Sequence, residues 1–517
     1  MRSTARCGSV TSIRISCPRC LDGAPECMYG PGKSSSRKVN STMNVLFIFS
    51  DQHNSFFTGC YGHPLTRTPA MDSIAAQGVR FDTAFTPCPL CVPARGAMFT
   101  GRNVHELGLW DNQVGWDGSS QGWSHYIRDN GIPFTTIGKL DFKPGCDHGI
   151  SEELFAKHRN QKWGSVTIPD WAAGLKAHAD NESVAFPQLP DPPNDVLHKG
   201  YYHEILGTGP HPGIHPDITA DCTVTDIAVR WLREKRPEQE PWILNVNFWK
   251  PHSPWRPRED LWHLYDEKVR IEDMAQRFTA KNNPENNCLG EAEYIRSHGM
   301  QHFTEEQLRR CHAGYQATIS FVDENIGRIL NELERLGIAD DTLVIYTSDH
   351  GESVGAHGCY GKCVLYEDSI RVPLLMRGPG IKAGQVHSGL VSLHDIFPTI
   401  CDAVGLLPVE VNRGMSLWPA LRGDSLPENR EYVFTETHTV GDTSMFALRS
   451  EHYKYIEIPG KQSRLFDLEN DPQEMDDLLK TRPHDCHVQE TAAYFAGKLH
   501  DICDPAAVNK QRKADRG

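Results

Sequence analysis

No apolar run in the 517 residues approaches the roughly 18–20 that a bilayer crossing needs; Val45 to Phe49 is typical of the short ones present. A membrane-spanning role is excluded. There is no long basic stripe, and 53 Lys and Arg stand against 67 Asp and Glu for a net charge of -14, which argues against nucleic acid as the main partner. Internal repeats are absent. The 16 cysteines form no framework: most are scattered singly, as at Cys60, Cys146, Cys222, Cys288 and Cys401, the usage of a reducing compartment. The basic amino-terminal segment lacks the contiguous apolar stretch of an export signal, so a cytoplasmic location is expected.

What remains is an ordinary globular composition, 39% hydrophobic and 23% charged, with a mean hydropathy of -0.49. The length suits two to four domains, or one large α/β domain with a smaller companion. Residues 1–42 hold seven basic side chains against Asp22 and Glu26, a net of +5 that leaves -19 for the rest. Met43 directly precedes the first strand pattern, so 1–42 read as an extension outside the fold or a mispredicted start. Cys17-Pro-Arg-Cys20 has the spacing of a metal knuckle, but no second pair matches it.

Asn44 to Ser50 is a continuous apolar run ending in polar residues, the pattern of a buried parallel strand that opens into a site at Asp51. Thr342 to Ser348, followed by Asp349 and His350, repeats it; Trp242 to Phe248, followed by His252, does so less sharply. Helical spacing appears over 68–77, 93–101, 218–234 and 305–336. This alternation predicts a large, mostly parallel sheet sandwiched by helices over 43–405, with sites beyond the carboxyl ends of its strands. Over 406–517 short runs (431–435, 445–449, 453–458, 464–466) predict a smaller antiparallel-sheet subdomain closed by a helix over 489–502. The segments 187–216 and 255–300 read as loop insertions.

The most specific segment runs from Pro89 to Arg102. Cys91, two residues before Pro93 and a helical pattern, falls at a helix N-terminus, where backbone N–H groups favour an anion and lower a thiol's pKa. Cys91-Val-Pro-Ala-Arg95 with Thr100-Gly-Arg102 behind it resembles the signature of the sulfatase family. The flanks agree: Thr68-Pro-Ala-Met-Asp72, Gly78-Val-Arg-Phe81, Ser348-Asp-His-Gly-Glu352, Gly361-Lys362, Tyr366-Glu367 and Arg371 to Leu375 fall in the family's order. The resemblance covers roughly residues 44 to 470 and implies the alkaline phosphatase-like α/β fold. Gly138 to Phe142, Trp249 to His252, Arg377 to Gly384 and the 436–455 region are most similar to a subgroup acting on sulfated uronates.

The resemblance implies that Cys91 is oxidised to formylglycine by a maturation enzyme. The hydrate of that aldehyde would be the nucleophile on a sulfated small molecule or sugar. Asp51, Asp349, His350 and the modified Cys91 would ligate a divalent cation, Ca²⁺ or Mg²⁺ by the oxygen donors, with Mn²⁺ left open by His350. Lys139, His252 and Lys362 would neutralise the sulfuryl oxygens, one of the first two donating the leaving-group proton, and Arg95 would hold the hydrate. His211, His215, His312 and His357 are assigned no role. The sequence departs from the family pattern at Gln52, where many members have a second Asp ligand, at Asp141, where many have His, and at Ala94, where Ser is commoner. Two other functions fit parts of this pattern: a phosphonate or phosphodiester hydrolase of the same superfamily, and a non-catalytic carbohydrate-binding relative if Cys91 stays a thiol.

Overall fold

The computed structural model describes residues 43–162, 165–172, 191–194, 196–211, 216–279, 295–407, 413–424, 426, 430–439 and 443–516. The leader with its Cys17 and Cys20, and parts of the 187–216 and 255–300 segments, lie outside the described residues. The central sheet has eight strands: β1 (Asn44–Asp51), β2 (Val79–Phe81), β3 (Phe134–Lys139), β4 (Glu152–Lys157), β5 (Ile243–Pro251), β6 (Thr342–Ser348), β7 (Leu374–Arg377) and β8 (Gln385–His387). They lie in the order β8-β2-β7-β6-β1-β5-β3-β4. Only β7 runs against the others, so the expected mostly parallel sheet is present.

The apolar run of β1 is continuous because both of its faces are covered. Leu46 and Ile48 join one core with α1 (Pro69–Gln77), α3 (Pro216–Glu234) and α4 (Glu305–Leu336). Val45, Phe47 and Phe49 join another with α2 (Cys91–Thr100) and α5 (Ile396–Ala403). Each such side chain contributes about 1.5–3 kcal/mol on burial, which fixes β1 at the centre between β5 and β6. The 305–336 helix forms where its spacing predicts. Thr304 and Gln307 cap its start reciprocally, and Gly337 ends it at φ 68°.

The C-terminal strands β9 (Tyr432–Thr437), β10 (Met445–Ser450), β11 (Tyr453–Glu457) and β12 (Arg464–Asp467) form the expected antiparallel sheet in chain order. Alternation along β10 divides its contacts. Phe446 and Leu448 pack under α6 (Cys486–Ile502), whereas Met445 and Ala447 join the core that β1 shares with α4.

Candidate active site

β1 and β6 pair in register from Asn44 with Thr342 to Ser50 with Ser348. Asp51 and Asp349 therefore emerge side by side at the carboxyl ends of adjacent parallel strands, where such sheets place their sites. α2 brings the third component: Cys91 is its first residue, two residues earlier than the pattern predicts, and the free N–H of Val92 donates to Asn112 Oδ1 at 3.0 Å. Cys91 Sγ stands 3.3 Å from His350 Nε2 and 3.7 Å from Asp51 Oδ1. His350 Nε2 lies 3.7 Å from Asp51 Oδ1 and 3.6 Å from Asp349 Oδ1.

The donor chemistry of this cluster fits a divalent cation. One ligand atom from each of Asp51, Cys91, Asp349 and His350 lies within 4.8 Å of the others, and all four residues are buried. His350 Nδ1 donates to the Gly351 carbonyl at 2.9 Å, so Nε2 is the nitrogen turned to the cluster. Arg95, itself buried, donates through Nε to Asp349 Oδ2 at 2.9 Å and through Nη1 to the Lys139 carbonyl at 2.6 Å. Its guanidinium lies 4.7 Å above the Phe49 ring. Asp349 Oδ1 accepts the N–H groups of Gln52 and His350, each at 3.0 Å, and faces His350 Nε2.

Lys139 reaches this point because β3 bends at Gly138, which takes φ 94° and lies so close to β5 that a Cβ would meet the Asn247 carbonyl at 2.0 Å. Its ammonium contacts Asp51 Oδ2, lies 3.1 Å from Asp141 Oδ2 and sits 4.3 Å from the Trp249 ring. Lys157 approaches the same ring at 4.8 Å and Asp141 at 4.0 Å. Lys362 contacts Gln52 Oε1, and the other end of that amide donates to Glu352. The Gln52 amide thus lies between a cation and a carboxylate. His252, partly buried, donates from Nδ1 to the Ser253 carbonyl at 2.6 Å and packs 5.2 Å from Trp249.

The electrostatics follow from this crowding. Burial pushes the Asp51 carboxyl up, but Lys139, His252, Lys362 and His350 together hold it well below the usual carboxylate range. Burial and Asp51 likewise oppose ionisation of the Cys91 thiol, and Lys139, Lys362 and His350 outweigh them to lower its pKa. Burial, with Lys362 beside it, depresses His252 well below the ordinary imidazole value. Asp51, Cys91, Arg95, Lys139, Asp349 and His350 are thus joined by direct contacts, and Lys362 and His252 act on them through charge. Glu352, Lys157 and Trp249 belong to the same assembly and were assigned no role from sequence. Glu352 and Trp249 lie inside quoted motifs; Lys157 carries no motif of its own.

This arrangement, at the end of a doubly covered sheet, defines a class of anion-handling hydrolytic centre. The chain belongs to the sulfatase family: the family described as Sulfatase matches residues 43–406, and that described as N-sulphoglucosamine sulphohydrolase, C-terminal, matches 355–500. It is a sulfuric ester hydrolase. Among its relatives is a choline-sulfatase of Rhizobium meliloti, 29% identical with 84% of this chain and 82% of that protein covered. Human arylsulfatase K is 28% identical, with 91% and 84% covered. The solved phosphonate monoester hydrolase of Agrobacterium radiobacter superposes with a TM-score of 0.70 at 26% identity, covering 91% of this chain and 96% of that one.

Proposed function

We propose that the chain hydrolyses the sulfate ester of a sugar, with a uronate 2-O-sulfate as the first substrate to test, through a formylglycine made from Cys91 by a maturation enzyme. The observation that carries this reading is the convergence on Cys91 Sγ of Asp51 and His350, with Lys139 and Lys362 close enough to lower the thiol's pKa. Asp51, Asp349, His350 and position 91 would hold a divalent cation, Ca²⁺ by the oxygen donors, with Mg²⁺ or Mn²⁺ as alternatives. Such a cation supplies Lewis acidity at a sulfuryl oxygen. Conversion of Cys91 supplies a geminal diol, one hydroxyl to attack sulfur and a second to allow release, chemistry a thiol lacks.

The chain's own residues do the rest. Lys139 and Lys362 bring positive charge to the non-bridging oxygens, and their burial strengthens that attraction. Arg95 fixes Asp349 through Oδ2, and the N–H groups of Gln52 and His350 hold Oδ1, so the carboxylate is oriented from both oxygens. His252 keeps its proton on Nδ1, held by the Ser253 carbonyl, so Nε2 is free to exchange a proton with the leaving oxygen. Burial and Lys362 disfavour the charged ring, and Asp51 opposes them. An anionic ester would offset Lys362, the neighbour that helps depress it, and favour the charged ring in the complex.

Peptide mass spectrometry on the Cys91 fragment from the native host tests the nucleophile: an aldehyde or its hydrate is expected, and unmodified thiol with the maturation system active refutes it. The likeness to a phosphonate monoester hydrolase supports a second reading, a phosphonate or phosphodiester hydrolase. Turnover of sulfate, phosphodiester and phosphonate esters of one alcohol separates the two. A non-catalytic binding role predicts carbohydrate binding unchanged in Cys91→Ala and no turnover.

A further inference from the structure

A second cluster of ligand-type side chains lies on β4, the edge strand of the large sheet. His148 precedes the strand, Glu153 lies within it and His158 follows it directly, and one ligand atom from each falls within 4.8 Å of the others. His148 Nδ1 stands 3.3 Å from Glu153 Oε1, and His158 Nε2 stands 2.7 Å from Glu153 Oε2. The imidazoles lie nearly parallel, ring centres 5.3 Å apart at 26°. The histidines are 2% and 7% exposed, whereas the Glu153 side chain is 28% exposed, so the cluster opens to water on its carboxylate side.

Regular strand geometry would separate these groups. An odd number of steps from Glu153 to His158 puts them on opposite faces of an ideal strand. β4 avoids this with a bulge: Leu154 and Lys157 pair with Ile137 and Lys139, so β4 carries one extra residue there. Phe155 takes φ 46° at that point, a conformation a bulky side chain rarely adopts. The extra residue shifts the phase by one and returns His158 to the face of Glu153.

Two imidazoles and a carboxylate select first-row transition cations over Ca²⁺ or Mg²⁺. A four-coordinate ion with bonds of about 2.0–2.1 Å places its ligands about 3.3 Å apart. His148 Nδ1 and Glu153 Oε1 already stand at that separation, and His158 Nε2, which faces the other carboxylate oxygen at 2.7 Å, would move away by about 0.6 Å. Hydrogen bonding inside the cluster uses one nitrogen of each ring. His148 Nε2 and His158 Nδ1 are buried without a hydrogen-bond partner among the described residues. Trp116 and Phe142 pack around His148 at 5.6 and 5.0 Å.

We propose that His148, Glu153 and His158 form a structural site for a divalent first-row transition cation, Zn²⁺ being the expected occupant, with water completing its shell. The site is separate from the Cys91 centre and does not depend on the reaction assigned there. It fastens the end of β4 that supports the Lys139 segment, because the Lys157 carbonyl accepts from the N–H groups of Leu140 and Asp141 at 2.9 and 3.2 Å.

The test is titration of Co²⁺ into metal-free, full-length protein carrying Asp51→Asn, which weakens the other centre. The expected result is one equivalent bound, with a visible d–d band but without a thiolate-to-cobalt charge-transfer band, and displaced by Zn²⁺. Since losing even an outer partner of a metal ligand costs about 10–100-fold, Glu153→Gln or His158→Ala added to this background should weaken binding at least about 100-fold. If His158→Ala unfolds, the near-isosteric Glu153→Gln decides. Co²⁺ bound only through thiolates, or bound equally by the Glu153→Gln protein, overturns the proposal.

Discussion

Replacing Lys454 by Met should destabilise the protein in a strongly pH-dependent way. Lys454 sits on β11 with no exposed surface. Its ammonium donates to the Leu365 carbonyl at 3.0 Å and to Glu367 Oε1 at 2.9 Å, and lies 2.5 Å from Glu474 Oε1. Glu474 Oε2 also accepts the Glu367 N–H at 2.7 Å. One cation thus holds two buried carboxyls and ties the small sheet to the segment that follows Lys362. Removing one partner of such a group costs about 3–5 kcal/mol because charge is left buried and unpaired. Burial, with Glu367 nearby, raises the Glu474 pKa from 4.5 to about 7 despite Lys454. For Glu367, burial is outweighed by Lys454, Arg449 and Arg371, and its pKa is lowered. A raised carboxyl takes up a proton in the folded state before the unfolded one does. Its contribution is therefore complete below pH 4.5 and lost as pH rises through about 7. Without Lys454 both carboxyls shift upward. The full cost appears at pH 8, and it shrinks toward pH 5 by up to about 1.4 kcal/mol per pH unit for each carboxyl that is protonated in the folded variant and still ionised in the folded wild type. Urea unfolding of the wild type and Lys454→Met at the two pH values measures this. A difference below about 1 kcal/mol at pH 8, or one equal at both, refutes the reasoning.

Cys91→Ala should lower turnover by at least about 10⁴-fold while leaving the thermal midpoint within a few degrees, read from sulfate release and calorimetry. Lys362→Met should reduce kcat/KM for a sulfate ester by about 10²–10³-fold, the scale for removing one preorganised donor, with circular dichroism unchanged. Gln52→Glu places a carboxylate against Glu352 and should reduce both stability and turnover. The companion change Glu352→Gln should restore stability, and a double-mutant cycle with coupling near zero would count against the shared amide bridge. Chelation should abolish activity reversibly, with recovery compared across Ca²⁺, Mg²⁺ and Mn²⁺.

The strand ends that carry Asp51, Asp349 and His350 were legible because apolar runs stop there, and Cys91 because a proline punctuates its helix. β3 and β4 were not. Phe134-Thr-Thr-Ile-Gly mixes polar and apolar residues, and Glu152-Glu-Leu-Phe-Ala-Lys favours helix locally; pairing with β4 on one side and with distant β5 on the other makes β3 a strand. Lys139 was therefore readable from its motif and not from its element. The contact of Gln52 with Glu352 joins residues 300 apart in sequence, and no local pattern could announce it. Gln52 could be recognised as a departure from the family's second Asp, but its engagement with Lys362 and Glu352 required the fold.

The burial of Cys91 turns the order of synthesis into a clock. The thiol is 2% exposed and lies against His350, which the ribosome delivers 259 residues later. At about 5–20 residues per second that interval lasts roughly 10–50 s. Any enzyme that acts on Cys91 competes with closure of the sheet over it, so the fraction modified reports a race between catalysis and folding. Slowing translation between codons 91 and 350 should lengthen that window and raise the modified fraction without changing a single residue.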